Sequence, residues 1–193
     1  MEELLIQFVL ALDATLRVAA PLILCGMAGI FSERSGIIDI SLEGKMLAAA
    51  FAAGAVASVS GSAWLGLGAA VVTSIALALL HGFACITHRG NQVISGLAIN
   101  ILASALSVTI GIALFHQGGQ TPSLAQSERF RPIHLPFADT LADVPVIGSV
   151  YSEILSGHNI LVYLALAAVP LVAWLLYKTR FGLRIRAVGE APE

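Results

Sequence analysis

The stretch Ser35-Gly36-Ile37-Ile38-Asp39-Ile40-Ser41-Leu42-Glu43-Gly44-Lys45 decides how this chain folds. It places two carboxylates, a lysine and two glycines between segments that are otherwise apolar. From Ile37 to Val59 there are 23 residues, enough to cross a bilayer at a rise of ~1.5 Å per residue. A straight crossing would carry Asp39, Glu43 and Lys45 into hydrocarbon, at a cost of at least ~2.5–3.5 kcal/mol for each charge near the centre. The uninterrupted apolar part, Met46 to Val59, has 14 residues and reaches about 21 Å of the ~30 Å required. The pattern therefore predicts a helix broken at Gly44 or Gly36, that is, a broken or half helix near residues 36–46. Its polar part would be held in protein or beside water, where irregular backbone is tolerated. Transporters build solute cavities from broken helices.

The rest of the composition agrees. Of 193 residues, 58% are hydrophobic and 11% charged, against about 25% charged in soluble domains. The expected fold is all-α, a polytopic membrane helix bundle. A net charge of −2 and the lack of any basic cluster with interleaved aromatics argue against a nucleic-acid partner. Cys25 and Cys85 lie in apolar runs and read as small buried hydrophobes, not as a disulfide or metal pair. The acidic start Met1-Glu2-Glu3 does not match a secretory signal.

About five crossings are expected. Leu4 to Phe31 is apolar apart from Gln7, Asp13 and Arg17, and contains Pro21. Asp13 and Arg17 are spaced to pair on a helix. Either one long tilted helix carries that pair, or residues 2–13 lie flat and the crossing begins at Ala14. The second crossing is the one already described. Eight of the ten residues from Ala48 to Ala57 are Ala or Gly, which lets backbones approach closely and places this helix centrally in the bundle. Ser60-Gly61-Ser62 is a turn. Ala63 to Ile86 and Val93 to Phe115 are full crossings, and the second carries a polar and small stripe of Gln92, Gly96, Asn100, Ser104, Ser107 and Gly111 on one face. Residues 116–158 form a long polar excursion that is functional or partly helical. Ile160 to Tyr177 is the last crossing. Lys178, Arg180, Arg184 and Arg186 cluster after it, so that end is cytoplasmic and the 116–158 loop external. Seven of the ten Lys and Arg then fall on the inner side.

Several residues invite chemistry. Asp39 and Glu43 are four apart and would share a helix face, fit for acid/base work, a cation or a polar solute; the alternative is that they cap the broken helix and pair with Arg34 or Lys45. Asn100 could bind solute through its amide or make an interhelical hydrogen bond. Ser95-Gly96 beside a turn raises an intramembrane serine protease as a remote reading, which needs a histidine in another helix core; His158 is at a helix edge. There is no HExxH, no Cys/His metal spacing and no phosphate loop, since Gly44-Lys45 is followed by Met46. No catalytic residue, metal or cofactor is expected, and the chain is not expected to hydrolyse ATP itself. The tail from Phe181 to Glu190 reads as a lipid anchor or a docking surface for a cytoplasmic subunit.

Three stretches carry a resemblance. Gly36-Ile37-Ile38-Asp39-Ile40-Ser41-Leu42-Glu43-Gly44-Lys45-Met46-Leu47 resembles a segment of ABC importer permeases written roughly G-V-x-N-I-G-L-E-G-M-M-L. Asn91-Gln92-Val93-Ile94-Ser95-Gly96-Leu97-Ala98-Ile99-Asn100 is similar to the next polar motif of that family. Gly182-Leu183-Arg184-Ile185-Arg186-Ala187-Val188-Gly189-Glu190 resembles its cytoplasmic coupling segment. The family is the ribose/branched-chain amino acid type, with the nucleoside and simple-sugar subgroup nearest. This chain has Asp39 where Asn is common, Ser41 for Gly, Lys45 for Met and Ala191 for Asn.

The resemblance implies a permease subunit spanning residues 1–193, with a coupling segment at 178–193, in a bacterial inner membrane. Such permeases run near three hundred residues, so the chain is expected to be the N-terminal part of a longer one. The implied partners are cytoplasmic ATP-binding subunits, a second permease subunit or a copy of this one, an external solute-binding protein and lipid. Glu43 and Asn100 are expected on the solute pathway, with Gln92, Ser95 and Asp39 next; Gly182, Arg184, Arg186, Gly189 and Glu190 would couple to the ATPase. The transported solute would be a nucleoside or simple sugar. A secondary transporter or channel coupled to ions through Asp39 and Glu43 is the alternative.

Overall fold

Apolar runs set the helices of this chain, and glycines and asparagines set several of their ends. The structure, a computed structural model, describes residues 2–133 and 156–190. Among them the helices are α1 (Glu2–Arg34), α2 (Leu42–Ser60), α3 (Ala63–Gly82), α4 (Gln92–Phe115), α5 (Ile160–Lys178) and α6 (Arg180–Glu190). A π-helical turn, Phe83–Thr87, extends α3. Within the described residues five helical stretches are long and apolar enough to cross a membrane: Gln7–Arg34, Leu42–Ser60, Ala63–Thr87, Gln92–Phe115 and Ile160–Lys178. The protein is an all-α, multi-pass membrane protein, as its composition predicts.

The break after the first crossing differs in detail from the expectation. It does not fall at Gly44, which lies in the first turn of α2. It occupies residues 35–41, and α2 starts at Leu42, four residues before the expected apolar start at Met46. With 19 residues α2 is about 28 Å long, a nearly full crossing and not a half helix. Gly36 is the residue that ends α1. Its φ is +83°, its N–H bonds to the Glu33 carbonyl at 3.1 Å, and the Ile37 N–H bonds to the Ser32 carbonyl at 3.1 Å. This is a Schellman termination, which requires a left-handed residue where Gly36 stands. Asp39 is consequently not helical and does not share a helix face with Glu43.

The chain divides into two units: Met1–Met27 with Phe130–Thr179, and Ala28–Arg129 with Arg180–Glu193. In the first, Ala20 of α1 packs with Val162 and Ala165 of α5. α1 is one unbroken helix of 33 residues with Pro21 inside it, so residues 2–13 are not a separate segment lying flat. The Asp13–Arg17 pair forms at 3.0 Å, and the buried His158 places Nδ1 3.5 Å from Asp13 Oδ1. Of the 116–158 loop, residues 134–155 lie outside the described residues; the described part includes a short 3-10 turn at Gln126–Glu128.

In the second unit α2 packs against both α3 and α4, the central position its small residues predict. The closest approach to α3 is at Gly66, where a Cβ would lie 2.7 Å from the Ala53 carbonyl oxygen and 3.0 Å from the Ala57 Cβ. Helices in lipid associate through this kind of close packing, because lipid is as apolar as their side chains. Large apolar residues such as Val72, Leu79 and Ile101 are exposed, as suits a lipid-facing surface.

Two glycines two residues apart, on nearly opposite faces of α3, test this packing. Gly66→Leu drives a side chain into main chain of α2, whereas Gly68 has nothing within 4 Å of its Cβ position. Gly66→Leu is expected to destabilise by about 1–3 kcal/mol through overpacking. Gly68→Leu is expected to leave the detergent melting midpoint, followed by fluorescence size-exclusion, near that of the wild type.

Candidate functional site

The segment between α1 and α2 leaves main-chain groups outside any helix, and each needs a partner. α4 supplies several of them. Gln92 Oε1 accepts from the Ile38 N–H at 2.7 Å. Asn100 Oδ1 accepts from the Gly44 N–H at 2.8 Å, and its Nδ2 donates to the Ile40 carbonyl at 3.0 Å. Ser41 precedes α2 but makes no side-chain cap; Asn100, from another helix, satisfies the orphan N–H that an N-cap normally serves. The two amides are eight residues apart on α4, about 12 Å. Between them sits Gly96, where a Cβ would lie 3.1 Å from Ile40 Cβ and 3.2 Å from the Ser41 nitrogen. At Gly44 a Cβ would lie 2.7 Å from Asn100 Cα. These glycines let α4 come close enough for its amides to reach the main chain. Asn91 caps α4 itself, accepting from Val93 and Ile94 at 3.0 and 3.2 Å.

The two carboxylates take different roles. Asp39 accepts from the Ser41 N–H at 3.0 Å, from the Ser41 hydroxyl and from the Lys45 ammonium. Asp39 and Lys45 are 9% and 10% exposed, so the pair is largely desolvated. Both are positions where the chain departs from the motif it resembles, and they compensate one another. His81 of α3, which is 3% exposed, places Nε2 3.8 Å from Asp39 Oδ1 and Nδ1 3.1 Å from the Ser95 hydroxyl. Cys85 Sγ is 3.7 Å from His81 Nε2. The sequence reading assigned His81 no part in the site, although an imidazole amid the apolar run from Ala63 to Ile86 was the available signal. Serine, histidine and aspartate thus meet, but 3.8 Å is beyond hydrogen-bond reach. Asp39 is engaged by Lys45, so the imidazole lacks the orienting partner that a nucleophilic serine needs.

Glu43, by contrast, is exposed and makes no hydrogen bond or ion pair among the described residues. It lines a groove of 640 Å³ together with Asn100, Ser104, Thr109, Leu47 and Val108. Ser95 opens with Asn91 onto a second groove of 430 Å³ between apolar residues such as Leu80 and Leu102. The expected pathway residues therefore separate. Glu43 and Asn100 meet in one groove; Gln92 and Asn100 hold main chain; Asp39 and Ser95 belong to the buried polar cluster. On α6, Gly182 is buried, Arg186 half-buried with its Nε 3.4 Å from the Gly182 carbonyl, and Arg184 and Glu190 exposed. Ala191 lies outside the described residues.

Comparison with known proteins gives a consistent result. The family described as the branched-chain amino acid transport system permease component matches residues 11–193. The chain is 36% identical to the putative glucose ABC transporter permease protein TsgC13 of Haloferax volcanii, covering 94% of this chain and 52% of that protein. It is 37% identical to the guanosine ABC transporter permease protein NupQ of Bacillus subtilis, covering 93% and 55%. It is 33% identical to the nucleoside ABC transporter permease protein NupC of Lactococcus lactis, covering 91% and 54%. The chain thus spans about half the length of the curated relatives it matches. No solved structure matches it.

The Asp39–Lys45 pair is testable by a mutant cycle. Asp39→Asn alone leaves a buried ammonium without its partner and is expected to cost about 3–5 kcal/mol, while replacing both members by uncharged residues is often neutral. Asp39→Asn/Lys45→Met should therefore recover most of the melting temperature that Asp39→Asn loses. Equal losses in the single and double variants would show that the two charges do not compensate one another.

Proposed function

The chain belongs to the branched-chain amino acid transport permease family, and on that premise we propose that it is the membrane-crossing part of an ATP-driven importer for a nucleoside or simple sugar. It would act as a multi-pass protein of the bacterial plasma membrane, in a permease pair whose second member is another subunit or a copy of itself. Cytoplasmic ATP-binding subunits would supply the energy, and an external binding protein would deliver the solute. Transport would proceed by alternating access, in which the helix bundle rocks about a solute site.

One observation carries the reading for this chain. Of the two carboxylates around the start of α2, Asp39 is engaged by Lys45, whereas Glu43 stands in a groove beside an amide and two hydroxyls, those of Asn100, Ser104 and Thr109. Ionisable groups within the membrane mark solute pathways by default. A carboxylate is an acceptor only, and the hydroxyls of a ribose or hexose are donors to it. The groove thus suits a neutral, hydroxyl-rich solute better than an anionic one. The relatives named for guanosine, nucleoside and glucose transport support the same solute class. Coupling to ions through Asp39 and Glu43 together is less well supported, since Lys45 already neutralises Asp39. Residues 178–193 would form the coupling segment, with the exposed Arg184 and Glu190 facing the ATPase and the 116–158 loop on the external side.

The test uses the full-length permease with its partners. The complex should take up labelled nucleoside or sugar only with ATP, and the permease should co-purify an ATPase that deletion of residues 182–193 removes. Glu43→Gln keeps size and polarity but loses the charge. Hydrogen bonds to a charged group contribute ~1.5–3 kcal/mol, so uptake should fall about tenfold or more with assembly intact. Uptake driven by a proton gradient without ATP would contradict the proposal.

A further inference from the structure

At Gly189, α6 meets the end of α1 main chain to main chain. A Cβ on Gly189 would lie 2.3 Å from the Arg34 carbonyl oxygen and 3.0 Å from the Gly36 nitrogen. From the other side, a Cβ on Gly36 would lie 3.3 Å from the Gly189 Cα. Gly36 is also the left-handed residue that terminates α1, at φ +83°. Two stretches of backbone therefore touch with no side chain between them. A side chain at a contact absorbs a displacement by changing rotamer; main chain, with planar peptide units, has no such freedom.

The contact lies at the start of the segment that α4 holds. Gly36 touches Gly189, Ile38 is bonded to Gln92, Ile40 and Gly44 are bonded to Asn100, and Glu43 lines the groove. All of these residues belong to one compact unit. The sequence comparison grouped Gly189 with the residues that would meet an ATPase, yet it faces its own chain, while Arg184 and Glu190 are exposed.

We propose that Gly189 is a positioning residue: it transmits movement of α6 through Gly36 to the segment 37–41, and so to the groove containing Glu43. This rests on the importer reading above. The exposed face of α6 receives the push of the ATPase, and the Gly189 seat passes it on. A methyl group at 189 wedges α6 away from Arg34 while keeping α6 helical, since alanine is a better helix former than glycine. Such a variant binds its ATPase but disconnects it from the groove.

The experiment uses the full-length permease assembled with its ATPase and binding protein in lipid vesicles, on a cysteine-free background carrying Ile38→Cys, whose native side chain is 54% exposed. Maleimide labelling is compared without nucleotide and after trapping with ATP and vanadate. The labelling rate should change by about fivefold or more, the lower range of coupling between distant sites. With Gly189→Ala added, that change should fall to within about twofold. In the same variant uptake should fall about tenfold or more, while ATPase co-purification and ATP hydrolysis persist. The proposal is overturned if Gly189→Ala keeps nucleotide-dependent labelling and uptake. It is also overturned if Gly189→Ala loses the ATPase itself, which would make residue 189 a docking or folding position. Failure of the importer reading shows separately, as ATP-independent uptake by the unmodified complex.

Discussion

Two side-chain amides on one helix hold the only long stretch of non-helical backbone described between the first two crossings. Gln92 and Asn100 reach from α4 and satisfy Ile38, Ile40 and Gly44. A main-chain group left without a partner in hydrocarbon costs several kcal/mol. Non-helical backbone between α1 and α2 is stable because α4, the end of α1 and Asp39 between them answer its polar groups. The glycines follow from the same need. Gly96 and Gly44 clear the space that an amide must cross, and Gly66 allows α3 to close on the opposite side of α2.

Charge is distributed according to the same constraint. A charge in the bilayer needs a partner or a wet surface. Asp39, at the centre of the break, receives Lys45, the Ser41 hydroxyl and the Ser41 N–H. Glu43, at the first turn of α2, receives none of these and opens on the groove. One carboxylate is thus tied into the fold, and the other, four residues on, faces the groove where the proposed solute would bind.

Much of this was legible in the residues. Interrupted hydropathy located the break, the Ala and Gly run placed α2 centrally, and the four-residue spacing of Gln92, Gly96 and Asn100 put them on one face of α4. What periodicity could not give was the partner of each polar group. The exact point of the break depended on whether Gly36 or Gly44 adopts a left-handed φ, and both glycines allow it. Only the packed arrangement distinguishes them, since Gly44 serves close approach and Gly36 serves chain reversal. The pairing of Asp39 with Lys45 spans a turn of irregular backbone, to which helical spacing rules do not apply. The site role of His81 was not legible, because one imidazole near the end of an apolar run carries no pattern. The meeting of Gly189 with Gly36 joins residues more than 150 positions apart, and no local rule reaches that far.

Hydrogen exchange of the full-length permease in nanodiscs, read at the amides of Ile38 and Gly44, tests the clamp most directly. If α4 holds the broken segment as described, both amides exchange far more slowly than free backbone in the wild type. Asn100→Ala should then release Gly44 while leaving Ile38, which depends on Gln92, largely protected. Exchange of both amides at the rate of free backbone in the unmodified protein would contradict the account.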